Sequence, residues 1–96
     1  MVTFHHLAIQ ELRVARNWYR SRSALASERF ALQLDQALNR ILRDPESPTE
    51  LGRGYRYVKI KRYPFTVVYR IQPAGETLVV AIAHTRRRPG YWSRRK

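Results

Sequence analysis

The chain has 96 residues, a formal net charge of +12 and a hydrophobic fraction of 44%, which describes one small folded domain. It is too short for a core plus a separate catalytic module and too apolar for a disordered basic tail. With no cysteine, a disulfide framework, a thiolate zinc site and a cysteine nucleophile are excluded, and no apolar run approaches the roughly 20 residues of a membrane helix.

In chain order, Val2-Thr3-Phe4-His5 has the β-branched and aromatic content of a short strand. From about Leu7 to Ser21, the residues Ala8, Leu12, Ala15 and Tyr19 recur at intervals of four, three and four, lining one face of a helix. Residues 23–27 read as a connector of small side chains. Ser27 is the expected cap of a second helix, with Glu28 in its first turn at the positive end of the dipole. Phe30, Leu34, Leu38 and Ile41 form that helix's buried stripe, and Asp44-Pro45 ends it, because proline cannot donate the next hydrogen bond and pushes its predecessor out of the helical region. His5 and His6 fall at the start of the first helix, where a capping role is expected, and metal-ligand spacing is absent.

Residues 45–54 read as a loop, after which the period changes to two. Tyr55, Tyr57, Lys59 and Lys61 are expected on one face of a strand, with Arg56, Val58 and Ile60 on the other. Tyr63-Pro64 connects to a second strand over residues 65–71. A turn at Pro73-Ala74-Gly75-Glu76 leads to a third, over residues 77–84, apolar enough to be central. The expected architecture is α+β with order β-α-α-β-β-β, a helical hairpin packed on a small, mostly antiparallel sheet, in a single domain spanning residues 1–96 with a basic tail at about 85–96.

Charge is concentrated in the second half. Residues 1–48 carry seven basic against five acidic side chains, a balance of +2, whereas residues 49–96 carry twelve against two, a balance of +10. An asymmetry of this size points to an anionic partner, nucleic acid or an acidic protein. The N-terminus lacks the basic start and apolar middle of a signal peptide, so a cytoplasmic location is expected.

The order of elements, together with Trp18-Tyr19 on the first helix, Asp44-Pro45 after the second, Gly52-Arg53-Gly54 before the strands, Tyr63-Pro64-Phe65 between strands with Tyr69-Arg70 following, and the ending from His84-Thr85-Arg86-Arg87-Arg88 to Pro89-Gly90-Tyr91-Trp92, resembles the RelE/ParE superfamily of bacterial type II toxins. The resemblance covers essentially the whole chain and is closer to the ParE side. It implies a small cytoplasmic toxin, without a cofactor, held inactive by a cognate acidic antitoxin. Its target would be DNA gyrase if ParE-like, or messenger RNA on the ribosome if RelE-like.

Cleavage of RNA through its own 2′-hydroxyl needs a base, an acid and cations for the charge developing on phosphate. By the resemblance, Lys59 and Lys61 match the paired lysines of RelE-like nucleases, Arg86 matches an arginine after the last strand, and Tyr91 or Trp92 lies near their C-terminal tyrosine. His84 is a further acid/base candidate, since an unperturbed histidine titrates near 6.5. Arg62, Arg70, Arg87 and Arg88 are candidate phosphate- or target-binding cations. The departure is Thr66, which stands where RelE-like nucleases put an arginine; alternation places Arg70 on its face.

Each of these residues has a plainer reading. Lys59 and Lys61 serve solubility on many strands, His84 can be a hydrogen-bonded strand end, and Arg94-Arg95-Lys96 can be a frayed terminus. Trp18, Tyr19 and Trp92 are core residues or, if exposed, anchors for an antitoxin helix. The Thr66 departure favours a gyrase-directed toxin acting by binding over a metal-independent RNA endonuclease, and a non-toxic antitoxin-binding relative is the third alternative.

Overall fold

A computed structural model describes residues 2–95. A short strand β1 (Val2–Phe4) leads into helices α1 (His6–Arg22) and α2 (Ala24–Arg43), followed by β2 (Glu50–Gly52), β3 (Tyr55–Lys59), β4 (Phe65–Ile71) and β5 (Thr77–His84). The five strands form one sheet in the order β1-β5-β4-β3-β2. All neighbours are antiparallel except β1 and β5, which run parallel with Val2 opposite Thr77 and Phe4 opposite Val79. The expected α+β arrangement of a helical hairpin on a mostly antiparallel sheet is therefore present, with one strand more than the sequence suggested. Among the described residues, no helix is long and apolar enough to cross a membrane.

The hairpin turns on one residue. Ser23 is extended (φ −172°, ψ 158°); its N–H donates to Tyr19 O and ends α1, while its Oγ accepts the Ala26 N–H at 2.9 Å and starts α2. Ser27, expected to be the cap, is instead a buried residue one turn inside α2, and Glu28 lies beyond the first turn. At the other end of α1, His5 caps through Nδ1, which accepts the Leu7 N–H at 3.1 Å. Its backbone N–H continues the β1 ladder by donating to Val79 O. Asp44 closes α2 as the sequence indicates, with its N–H on Arg40 O.

The principal core lies between the hairpin and one face of the sheet. Phe30, Leu34, Ala37 and Ile41 of α2 and Ala8 and Ala15 of α1 pack on Val58, Ile60, Val67, Tyr69, Val79 and Ile82. Each large apolar side chain buried there contributes about 1.5–3 kcal/mol. Tyr69 keeps its hydroxyl satisfied by donating to Pro45 O at 2.6 Å, which also ties down the chain leaving α2.

Two expectations for residues 45–62 need correction. The stretch read as a loop contains β2, whose three residues are all exposed, so no alternation announces it. Its link to β3 is a tight turn through Gly52, Arg53 and Gly54, all at positive φ. Strand β3 ends at Lys59 itself. Ile60 bonds back to Phe65 O, a turn begins, and Lys61 stands exposed on that turn rather than on the strand face beside Lys59. Finally, β5 carries a bulge: Val68 faces Ala81 but Tyr69 faces Val79, leaving Val80 extra. This turns both Val80 and Ala81 toward the face away from the helices, where a second apolar cluster forms.

Candidate functional site

That second face is organised in rows set by strand register. Lys59 pairs with Thr66 and Thr66 with Ala83; Tyr57 pairs with Val68 and Val68 with Ala81; Tyr55 pairs with Arg70 and Arg70 with Leu78. The chain after β5 folds back over these rows. Trp92 is buried with its ring 4.7 Å from that of Tyr55, against Val68, Val80 and Ala81, and Tyr55 Oη donates to Ser93 O at 3.3 Å. Between the returning chain and the sheet lies a cavity of about 510 Å³ bounded by Tyr57, Thr66, Ala83, Arg88 and Trp92.

The candidate cations divide around this cavity. Lys59 is exposed, opposite Thr66, and Arg86, Arg87 and Arg88 occupy the exposed turn that follows β5. Arg62 lies with Lys61 on the exposed turn before β4, at φ 71°. Arg70 shares the face of Thr66, as alternation requires. It stands four residues further along the strand, about 13 Å at the usual rise per residue, and its guanidinium leans toward the Tyr55 ring at 5.9 Å. It therefore does not fill the place next to Thr66. His84 is half-buried, edge-on to Phe65, and its Nδ1 accepts the Arg86 N–H at 3.0 Å.

A carboxylate that sequence reasoning missed organises the returning chain. Glu11 on α1 accepts the Ile82 N–H (3.0 Å) and Arg95 Nη1 (2.8 Å) through Oε1, and Tyr91 Oη (2.5 Å) and Arg95 Nη2 (3.0 Å) through Oε2. Arg87 approaches the same carboxylate at 3.5 Å and lies 3.8 Å over the Tyr91 ring. Arg95 also donates to Val80 O at 2.9 Å. Burial pushes the Glu11 carboxyl up, but hydrogen bonds from Arg95, Tyr91 and Ile82 and the Arg95 charge outweigh it and hold the group below its ordinary value. Burial, then the hydrogen bond to Glu11, pushes the Tyr91 phenol far above its own. The hydrogen bond to Glu11 likewise raises Arg95. Arg95, read as part of a frayed end, is thus held fast with a side chain only 11% exposed; Lys96 lies outside the described residues. The available signal was the single acidic residue of α1 among four arginines.

On the other side of Glu11 a groove of about 560 Å³ runs between α1 and β5, lined by Leu7, Val14, Trp18, Phe65 and Ile82. Trp18 is 53% exposed, with Arg22 stacked on its ring at 4.5 Å. Tyr19 turns inward and stacks on Phe30. Of the three aromatic residues considered as antitoxin anchors, Trp18 alone presents an exposed ring; Trp92 is buried and Tyr19 half-buried. Among the described residues, no group of three His, Cys, Asp or Glu side chains is placed to hold a metal ion.

No curated protein matches the chain. The family model described as "ParE toxin of type II toxin-antitoxin system, parDE" matches residues 2–89, which takes in both helices and all five strands and stops just short of Tyr91. With that span matched, the chain belongs to the ParE toxin family of type II toxin-antitoxin systems.

Proposed function

We propose that this toxin arrests growth by binding rather than by covalent chemistry. The basic face formed by Lys59, Arg86, Arg88 and the neighbouring turn residues Lys61 and Arg62 engages an acidic surface of DNA gyrase in the cytoplasm. A cognate acidic antitoxin neutralises the toxin, using the groove beside Trp18 as its anchor point. The observation that carries this reading is the fate of the proton-transfer groups. Tyr91 donates to Glu11 and its phenol is pushed far up, so it is a poor acid or base at neutral pH. His84 has its Nδ1 taken by Arg86 N–H. Cations remain on the exposed turns, and a surface of cations whose tyrosine is withdrawn from proton transfer suits electrostatic complementarity to an acidic partner.

The endonuclease reading has one observation in its favour. The cavity beneath residues 85–92 sets the Tyr57 ring near Arg88 and Thr66, a combination suited to a base and its phosphate. Pulse-labelled protein synthesis within minutes of inducing the toxin alone separates the two. Sustained translation while growth stops, with loss of supercoiling activity in purified gyrase, is the expected result. An immediate collapse of translation would instead assign the face to RNA cleavage, and normal growth would leave an antitoxin-binding protein without toxicity. In the binding reading, replacing Lys59, Lys61 and Arg86 together by alanine abolishes growth arrest.

A further inference from the structure

We propose that Glu11 is a positioning residue for toxicity: its carboxylate fixes residues 85–95 across the sheet, and the arginines of that segment engage the target only while it is held. This rests on the basic face being the surface that engages the target, and adds to it the group that keeps that face assembled.

The need for such a group follows from the sheet. Strand β1 covers β5 only from Thr77 to Val79, so the edge beyond is open. There the Val80 carbonyl and the Ile82 N–H have no strand beside them, and side chains substitute: Arg95 donates to the first and Glu11 accepts from the second. The backbone bonds of the returning segment are mostly turns of its own, from Tyr91 to Arg88, Ser93 to Gly90 and Arg95 to Trp92. Such bonds shape the segment without docking it. Docking comes from the Thr85 N–H on Pro64 O at the segment's start, from Trp92 against Tyr55, from the Tyr55 hydroxyl on Ser93, and from Glu11.

Both Glu11 oxygens are used, and their partners lie at both ends of the segment, Arg87 near its start and Tyr91 and Arg95 towards its end. Arg87, held between Glu11 and the Tyr91 ring, sits between the exposed Arg86 and Arg88 and so sets where they point. Without the carboxylate, Arg87 and Arg95 would face each other with no counter-charge, and Arg95 would be left buried and uncompensated, which favours expelling the segment. Tyr91 and Arg95 lie beyond the residues matched by the family model, so the arrangement is read from this chain alone.

The test uses the full chain carrying Trp18→Phe, so that Trp92 is the only tryptophan. Chymotrypsin cuts after Tyr91 or Trp92 only when the segment opens. Glu11→Ala is expected to raise that cleavage rate about a hundredfold, the equivalent of one or two charge-assisted hydrogen bonds, to shift Trp92 emission to the red, and to abolish growth arrest. Glu11→Gln, the same shape without the charge, guards against misfolding and is expected to behave likewise. Glu11→Asp, which keeps the charge, is expected to recover part of both protection and growth arrest. Unchanged cleavage and emission in Glu11→Ala and Glu11→Gln would overturn the proposal, as would an opened segment with undiminished toxicity. If the Lys59, Lys61, Arg86 triple variant also stayed toxic, the basic-face reading would have failed; if that variant alone lost toxicity, only the role of Glu11 would fall.

Discussion

The face of the sheet under the helices is sealed by a continuous apolar layer in which Phe30 and Ile41 are fully buried, whereas the opposite face is covered by one tryptophan and a returning segment whose polar ties centre on one carboxylate. The first closure is non-directional and proportional to area. The second is directional, depends on charge, and leaves Lys59 and the cations of the two flanking turns in solvent. In the proposed reading, stability and target recognition thus fall to opposite sides of one thin sheet. A substitution should move one of them with little effect on the other.

The largest effect should come from the sealed side. Phe30→Ala removes a ring that stacks on Tyr19 and meets Tyr63 and Phe65 and should cost about 3–5 kcal/mol, read from the urea midpoint. A loss below about 1 kcal/mol would break the contrast between the faces. Trp92→Ala should cost less, about 2–3 kcal/mol, because the tail can collapse partly onto Tyr55. Near-UV circular dichroism should change while the helical far-UV signal persists.

Acid sharpens the comparison further. Glu11 is held below the ordinary carboxylate value of 4.5 in the folded chain. Its contribution is therefore fully present above that value and lost as pH falls through the lower, folded one. Wild type should lose more stability than Glu11→Gln on acidification below about pH 4.5, with the red shift of Trp92 emission, read in the Trp18→Phe background, preceding loss of the helices. Parallel pH profiles in the two proteins would remove the carboxylate from the account.

The smallest effect on stability belongs to the open side. Alanine at Lys59, Lys61 and Arg86 should each leave stability within about 0.5 kcal/mol, since all three are exposed, while growth arrest is lost. Trp18→Ala should be similarly neutral for folding yet weaken antitoxin binding by about 2 kcal/mol, measured by titration calorimetry. If Trp18→Ala instead lowered the urea midpoint markedly, the ring would be part of the fold rather than an exposed anchor.

What the sequence disclosed follows the range of the interactions involved. The α2 stripe and the apolar run of β5 were legible because burial imposes a period on neighbouring residues. Strand β2 was not, because all three of its residues are exposed. Ser23 and Ser27 offer the same capping chemistry, and the choice was made by tertiary packing, which buries Ser27. Lys61 was assigned to a strand face because alternation gives no signal for where a strand stops. The site was the least legible part. Glu11 and Arg95 lie 84 positions apart, and nothing local to either announces the other. The basic half of the chain was visible in composition, but which arginines of the returning segment are held depends on Glu11, far away in sequence.

The same separation has a consequence for the order of assembly. The hairpin closes on contacts between neighbours in sequence and can form early, whereas β1 waits for β5 and Glu11 waits for Arg95. During synthesis, then, the helices can form ahead of the sheet, and the groove beside Trp18 is complete only once Phe65 and Ile82 have joined it. In the proposed reading, a chain still being made therefore presents neither surface: the groove and the ordered basic face both wait for β5, so the molecule becomes able to act and able to be neutralised at the same step.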